Sequence, residues 1–257
     1  QHQHNHSQPM QVMGAFMVWA GWYAMNIGHA FTMGTSSAAA GRIAITTTLS
    51  AAGGAITSMI IGFQLEGDYN LDFIMNGAMS GLVAISSGCA VVAPWAALVI
   101  GIIAAFVFHG GHWLTLHFMK IDDVTKAVAV HGWNGIWGCV ATGLFARQEE
   151  VFEVFGTSEQ GLFYGGTNIL GTNITFVCVT VFWVSFWMWG FFGACHYAGC
   201  LRLSEKEEDV ILEGIELSRG DQNNNELVPD VEGDIDLADT YQSTKEMVGA
   251  PSIDPRV

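Results

Sequence analysis

The stretch Lys120–Ala146, KIDDVTKAVAVHGWNGIWGCVATGLFA, contains the features that decide the fold. It opens with two acids, Asp122 and Asp123, and residues 127–146 contain no Asp, Glu, Lys or Arg. A helix of about 20 apolar residues is long enough to cross a bilayer. The stretch is therefore predicted to be a membrane-spanning helix that follows a charged loop.

One imidazole, that of His131, lies inside this uncharged run, and glycines follow it at positions 132, 135 and 138. Small residues at this spacing let a neighbouring helix approach closely. On a regular helix five residues share roughly one face: His131, Asn134, Gly135, Gly138 and Thr142. Two interpretations stay open for the histidine. It is either a hydrogen-bonded packing residue between helices or a group that lines a substrate path.

Composition places the chain among membrane proteins. Of its 257 residues, 51% are hydrophobic and 13% are charged, whereas a soluble domain carries about 25% charged residues. From residue 201 onward, 15 acids stand against 5 bases, which gives this part a net charge of −10. The sequence thus predicts a membrane body with an acidic soluble tail. The overall net charge of −15 argues against a nucleic acid partner.

The apolar runs divide the membrane body into about six helical spans. Residues 1–10 are expected to be a polar loop, 11–200 the transmembrane domain and 201–257 the tail, whose distal part has the composition of a disordered segment. Pro94 splits one long uncharged run into two spans. Six spans place both ends on one side, and the flanking Lys and Arg residues favour the cytoplasm. The expected spans are about 12–34, 43–65, 73–90, 95–118, 127–146 and 169–200.

Several motifs resemble those of the ammonium transporter family (Amt/Mep/Rh). Residues 120–146 keep the order of that family's second pore-histidine helix: two acids, a spacer, His-Gly, Gly-x-x-Gly and Leu-Phe-Ala, although Val124 replaces the usual proline. GWYAMN (21–26) and NGAMSGLVAISSGCAVVAPWAALVIGIIA (76–104) resemble two further family stretches. The resemblance implies an all-α, polytopic membrane helix bundle. It corresponds to the second repeat and final helix of an eleven-span inverted-repeat transporter.

The same resemblance implies ammonium transport through a histidine-lined pore. His131 would be one of two pore histidines, and Asn134, on the same predicted face, is a second pore candidate. The implied partners are ammonium or ammonia, the lipid bilayer and further copies of the chain in a homotrimer. The implied location is the plasma membrane with a cytoplasmic tail. No cofactor, no metal and no enzymatic activity are expected.

An outer vestibule is expected on the first span. The family usually has a gating Phe before Asn26, where this chain has Met25, and often a Ser where this chain has His29. Trp22 lies one helical turn from Met25 and Asn26 and is a further candidate. A methionine is large and flexible enough to plug a narrow path, but it offers a weaker surface to a cation than an aromatic ring.

Two further roles are expected outside the pore. Asp122 and Asp123 precede the histidine helix and are predicted to cap its free N–H groups. In the tail, Ser218 matches a threonine that some family members phosphorylate. A phosphate there would face Glu213 and Glu216, and repulsion would lift the tail. An unmodified serine is the equally open alternative.

Two alternative functions also follow from the sequence. Met25, His29 and the acidic tail suit an ammonium sensor of the same fold. The histidines at 109, 112 and 117 raise a haem-binding redox membrane protein as a further alternative. An interfacial packing cluster is the simpler interpretation of those histidines.

Overall fold

The computed structural model describes residues 7–32 and 37–201, with the side chains of 29–32 left out. The chain divides into two compact units, residues 1–187 and 188–257. The start of the expected polar loop and residues 202–257, which include Ser218, lie outside the described residues.

The described chain is helical, which confirms the predicted all-α class. Within these residues no strand forms, and an isolated antiparallel bridge joins Val92 to Ala146. Two π-helical segments interrupt the α-helical pattern. The first π segment, Leu114–Phe118, continues α4, and the second π segment, Val128–Trp133, leads into α5. The α-helices are α1 (Gln8–Thr32), α2 (Ser37–Glu66), α3 (Leu71–Ser86), α4 (Pro94–Trp113), α5 (Asn134–Phe145), α6 (Gln148–Phe155) and α7 (Asn168–Tyr197).

The helix ends follow local sequence signals. The side chain of Asn70 caps α3 by accepting a hydrogen bond from the backbone N–H of Asp72, at 2.9 Å. Pro94 is the first residue of α4 and follows an extended Ala93. Its missing N–H costs nothing there, because the first N–H groups of a helix have no partner within the helix. Gly156 ends α6 in the left-handed region, with a φ of 70°. In the unit 188–257, the N–H of Gly199 closes the end of α7.

Helices α2, α3 and α4 pack against one another through small residues. The backbone carbonyl of Ser50 on α2 lies so close to Gly81 and Gly101 that a Cβ at either glycine would overlap it. The Ser50 hydroxyl also donates a hydrogen bond to the Gly81 carbonyl, at 2.8 Å. Such contacts bring membrane helices into direct backbone contact. The three helices therefore form the rigid centre of unit 1–187.

The long helices overlap the six expected spans, but several ends differ. α1 begins at Gln8, so residues 8–10 belong to a helix and not to the polar loop expected over 1–10. Pro9 is tolerated there because the first turn of a helix needs no backbone donor. α3 ends at Ser86, short of the expected 90, and α6 forms inside a segment expected to be loop.

By length and composition, three helical segments of the described chain can cross a membrane: α2, Pro94–Phe118 and α7. α3 is apolar but shorter. Within unit 1–187, the aromatic side chains of α7 are exposed. Crossing by the remaining three segments, and hence the six-span arrangement, stays a prediction.

We expect Gly101→Ala to destabilise unit 1–187. The added methyl group would overlap the Ser50 carbonyl, and overpacking of this kind costs about 1–3 kcal/mol. The measurement is the melting temperature of the purified protein in detergent. Gly110→Ala on the same helix is the control, since no described atom lies within 4 Å of a Cβ there. Equal melting temperatures for the two variants would show that the crossing has room for a methyl group.

Candidate functional site

His131 lies in the second π segment, and its side chain is exposed in this chain. Its ring stacks on the indole of Trp22 from α1, with ring centroids 6.4 Å apart and an angle of 11° between the planes. The structure thus brings together two residues that the sequence predicted separately, one for the pore and one for the vestibule.

Trp22 is held in place by a second contact. Its Nε1–H donates a hydrogen bond to the Ser86 hydroxyl on α3, at 2.7 Å, and that hydroxyl donates to the Leu82 carbonyl at 2.8 Å. A buried indole N–H normally finds such a partner. The orientation of the Trp22 ring, and with it the surface offered to His131, is therefore fixed by α3.

A small cavity of about 210 Å³ lies beside this group, and Ser86 is part of its lining. Met25 and Asn26 from α1 line it as well. Met25 is 46% exposed, whereas Asn26 is buried and its amide donates to the Thr47 hydroxyl, at 3.1 Å. The backbone of α1 continues through His29, whose side chain lies outside the description. Met25 is thus a large, exposed side chain at the edge of this cavity, as is Phe155 from α6.

Asn134 does not share the surroundings of His131, so the expected common face is wrong. Asn134 is wholly buried, and its amide donates to the Ala129 carbonyl at 3.1 Å. A π turn follows an i→i+5 pattern. The count of 3.6 residues per turn on which the common face depends therefore does not hold around His131. His131 is exposed, Gly135 is half-buried, and Asn134, Gly138 and Thr142 are buried.

The two acids before the second π segment differ in role. Asp123 is buried, and its Oδ2 accepts hydrogen bonds from the backbone N–H groups of Val128 and Ala129, at 2.8 and 3.3 Å. These bonds satisfy two free N–H groups at the start of the segment, as a cap does, although Asp123 lies four residues before the N-cap residue Ala127. Asp122 is exposed and makes no such bond among the described residues. The capping geometry therefore belongs to Asp123 alone.

Two of the three late histidines of the fourth span, His109 and His117, make hydrogen-bond or ring contacts within the bundle. Nε2 of His109 lies 2.9 Å from the Ser58 hydroxyl, and the His109 ring packs against Phe73 and Phe108. Nδ1 of His117 lies 3.1 Å from the carbonyl of Trp113 in its own helix. These contacts are those of packing residues.

Two parts of the polar structure were not anticipated from the sequence. Ser86 is one of two adjacent serines at the end of an apolar helix, and the sequence offers no reason to prefer it as the partner of Trp22. Lys126 forms an ion pair with Asp72, which is 54 residues away along the chain. In the sequence, Lys126 and Asp72 are both charged residues at the edges of uncharged runs, which is only a weak indication that they pair.

Comparison with known proteins gives consistent matches. A family model described as Ammonium Transporter Family matches residues 1–220. Ammonium transporter 1 member 2 of Arabidopsis thaliana is 39% identical over 227 residues, covering 83% of this chain and 43% of that protein. Ammonium transporter 1 member 1 of Solanum lycopersicum is 38% identical over 228 residues, covering 83% of this chain and 46% of that protein. The chain thus spans less than half the length of these curated relatives.

Solved structures match as well. The crystal structure of Candida albicans Mep2 has a TM-score of 0.69 and 28% identity, covering 79% of this chain and 44% of that chain. A structure described as a Sensor Amt Protein has a TM-score of 0.69 and 25% identity, covering 79% of this chain and 48% of that chain.

We expect Asp123→Ala to destabilise the protein by about 1–2 kcal/mol, because two backbone N–H groups at the start of the second π segment lose their acceptor. Thermal melting in detergent measures the change. Asp122→Ala removes a neighbouring charge without removing a cap and is expected to melt like the parent protein. A similar loss in both variants would point to charge rather than capping.

Proposed function

The chain belongs to the ammonium transporter family, and we propose that the whole protein conducts ammonium across a membrane along a path lined by His131. The observation that carries this proposal is the exposed imidazole of His131 stacked on an anchored Trp22. An imidazole presented in this way is open to a small solute along the exposed side of the helix.

The chemistry of ammonium favours an imidazole on the path. An ammonium ion is expensive to transfer into a low dielectric medium. Separation into a proton and neutral ammonia avoids that cost. A neutral imidazole has one donor and one acceptor nitrogen, so His131 can accept a hydrogen bond from the passing molecule or relay its proton. The proton and ammonia are then carried separately.

The outer entrance is proposed to lie at the cavity beside Met25 and Asn26. The Trp22 ring face next to it can attract a cation before the proton is lost. Met25 narrows the approach as a flexible apolar side chain. His29 lies one turn further along α1, and a role for it at the entrance stays a prediction from the sequence.

Asn134 is proposed to position His131 rather than to line the path. Its buried amide donates to the Ala129 carbonyl inside the second π segment. A π turn needs such support because its backbone geometry is rare in helices. Asn134 thereby supports the π segment in which His131 is exposed.

Transport is favoured over sensing because curated relatives at 38–39% identity are named ammonium transporters. We therefore assign no enzymatic reaction and no haem. The chain is an integral membrane protein. Its finer arrangement is proposed from the family: the second repeat and final helix of an inverted-repeat transporter, a homotrimer, the plasma membrane and a cytoplasmic tail. Crosslinking of the full-length protein to a trimer and protease access to the tail test these points.

We expect His131→Ala, in the full-length protein, to reduce ammonium uptake about tenfold or more, or to change its selectivity over methylammonium, because the relay group is lost. Uptake is measured in cells that lack their own ammonium transporters, at equal surface amounts of protein. His117→Ala is the matched control, since His117 contacts only the Trp113 carbonyl of its own helix among the hydrogen bonds described. Normal uptake and selectivity in His131→Ala would remove His131 from the mechanism.

We expect Met25→Phe to shift the ammonium concentration for half-maximal uptake downward, because an aromatic face attracts a cation more strongly than a thioether does. The companion change His29→Ser tests the other departure at the entrance. Met17→Phe, on the exposed surface of α1 and away from the cavity, is the control. An unchanged half-saturation in Met25→Phe and His29→Ser would assign this face to packing.

A further inference from the structure

A second and larger cavity lies at the N-terminal ends of α1 and α3, away from Met25. Its volume is about 1030 Å³. Four acids line it, Glu66, Asp72, Asp122 and Asp123, against a single base, Lys126. A cleft lined by one sign of charge raises the local concentration of the opposite ion. The cavity therefore attracts small cations.

The Asp72 carboxylate is the most completely bonded acid of this cavity. Its Oδ1 accepts hydrogen bonds from the side-chain amides of Gln11 and Asn76, at 3.0 and 3.1 Å. Its Oδ2 meets the ammonium group of Lys126 in an ion pair. The two amides orient the carboxylate from one side, which leaves the other oxygen for a cation.

An aromatic ring completes the surroundings of that cation. The Nζ of Lys126 lies 5.1 Å from the centroid of the Phe73 ring, within the range of a cation–π contact. The side chains of Lys126 and Asp72 are 21% and 23% exposed, so the group is largely withdrawn from water. An oriented carboxylate beside an aromatic face is the chemistry that recognises an alkylammonium ion.

The backbone conformation of Lys126 indicates that its contacts with Asp72 and Phe73 fix its position. Its φ is 56°, in the left-handed region that non-glycine residues rarely adopt. Such a conformation persists only when the surrounding contacts maintain it. The ion pair with Asp72 and the contact with Phe73 are contacts of that kind.

We propose that Asp72 and Phe73 form a second binding site for a small ammonium-type cation, and that the ammonium group of Lys126 is its resident occupant. The lysine is a tethered competitor. A flexible tether presents its group at an effective concentration in the millimolar range. With Lys126 in place, the site therefore binds a free cation only when that cation is abundant.

His112 supplies a further group for the incoming cation. It lines the same cavity, and its Nδ1 is buried with no hydrogen-bond partner among the described residues. A neutral imidazole nitrogen can accept an N–H bond from ammonium. This site would bind the same ion as the proposed function but lies outside the path along His131. Its test therefore measures binding and not transport.

The test uses the full-length protein in detergent and ¹³C-methylammonium chloride as the probe, followed by line broadening in NMR titrations, with sodium chloride at equal ionic strength as the reference. Lys126→Met removes the resident cation and keeps an unbranched side chain. Lys126→Arg keeps a cation in the site and is the matched control. Lys126→Met combined with Asp72→Asn removes the proposed acceptor.

We expect Lys126→Met to bind methylammonium at least about tenfold more tightly than the parent protein, while Lys126→Arg binds like the parent. Adding Asp72→Asn should abolish the gain, and adding Phe73→Leu should weaken it about two- to thirtyfold. If Lys126→Met does not fold, Lys126→Ala serves instead, since it also removes the resident cation and leaves the Asp72 carboxylate free. Binding by the lysine variant equal to that of the parent, or a gain that survives Asp72→Asn, overturns the proposal. Transport loss in His131→Ala is independent of either result.

Discussion

The close contact between the Ser50 carbonyl and the glycines at 81 and 101 is the constraint on which the rest of the structure depends. Because no side chain separates the backbones at this point, the contact fixes where α2, α3 and α4 cross one another. α3 then presents Asp72 at its start and Ser86 at its end, and both positions are fixed relative to the other two helices. The two polar sites are therefore held at opposite ends of one rigid helix.

α1 is attached to α3 at both of these ends. Gln11 donates to Asp72, and Trp22 donates to Ser86. Gln11 precedes Trp22 on α1, and their partners Asp72 and Ser86 follow in the same order on α3, so the two helices run parallel. Neither contact is a charge pair. A neutral amide and a neutral indole are the donors, so neither contact requires a charge on α1, which would be costly to bury in an apolar medium.

Sequence reasoning recovered what depends on composition and on local rules. The uncharged runs marked the long helices, Pro94 marked the start of α4, and the motif around His131 indicated the family. It failed where the helix departs from its usual period. The face assigned to His131 and Asn134 assumed 3.6 residues per turn, and the π turn between them separates the two residues.

Long-range pairs were also beyond sequence reasoning. Lys126 and Asp72 lie 54 positions apart, and no local rule joins two charges at that separation. The same holds for Trp22 and Ser86, 64 positions apart, and for the stacking of Trp22 on His131. Such pairs depend on how the helices are packed, which the small-residue contacts decide. The sequence alone does not determine that packing, so it does not identify the partners of these residues.

The second π segment has a consequence for how this helix tolerates changes in length. A π turn holds one residue more than an α turn, so residues 128–133 contain the equivalent of a one-residue insertion. Deletion of one residue there would restore a regular helix and leave α5 in its contacts with α3. Deletion elsewhere in the helix would displace every contact beyond it. This turn is therefore where the helix is expected to tolerate the loss of one residue, next to His131.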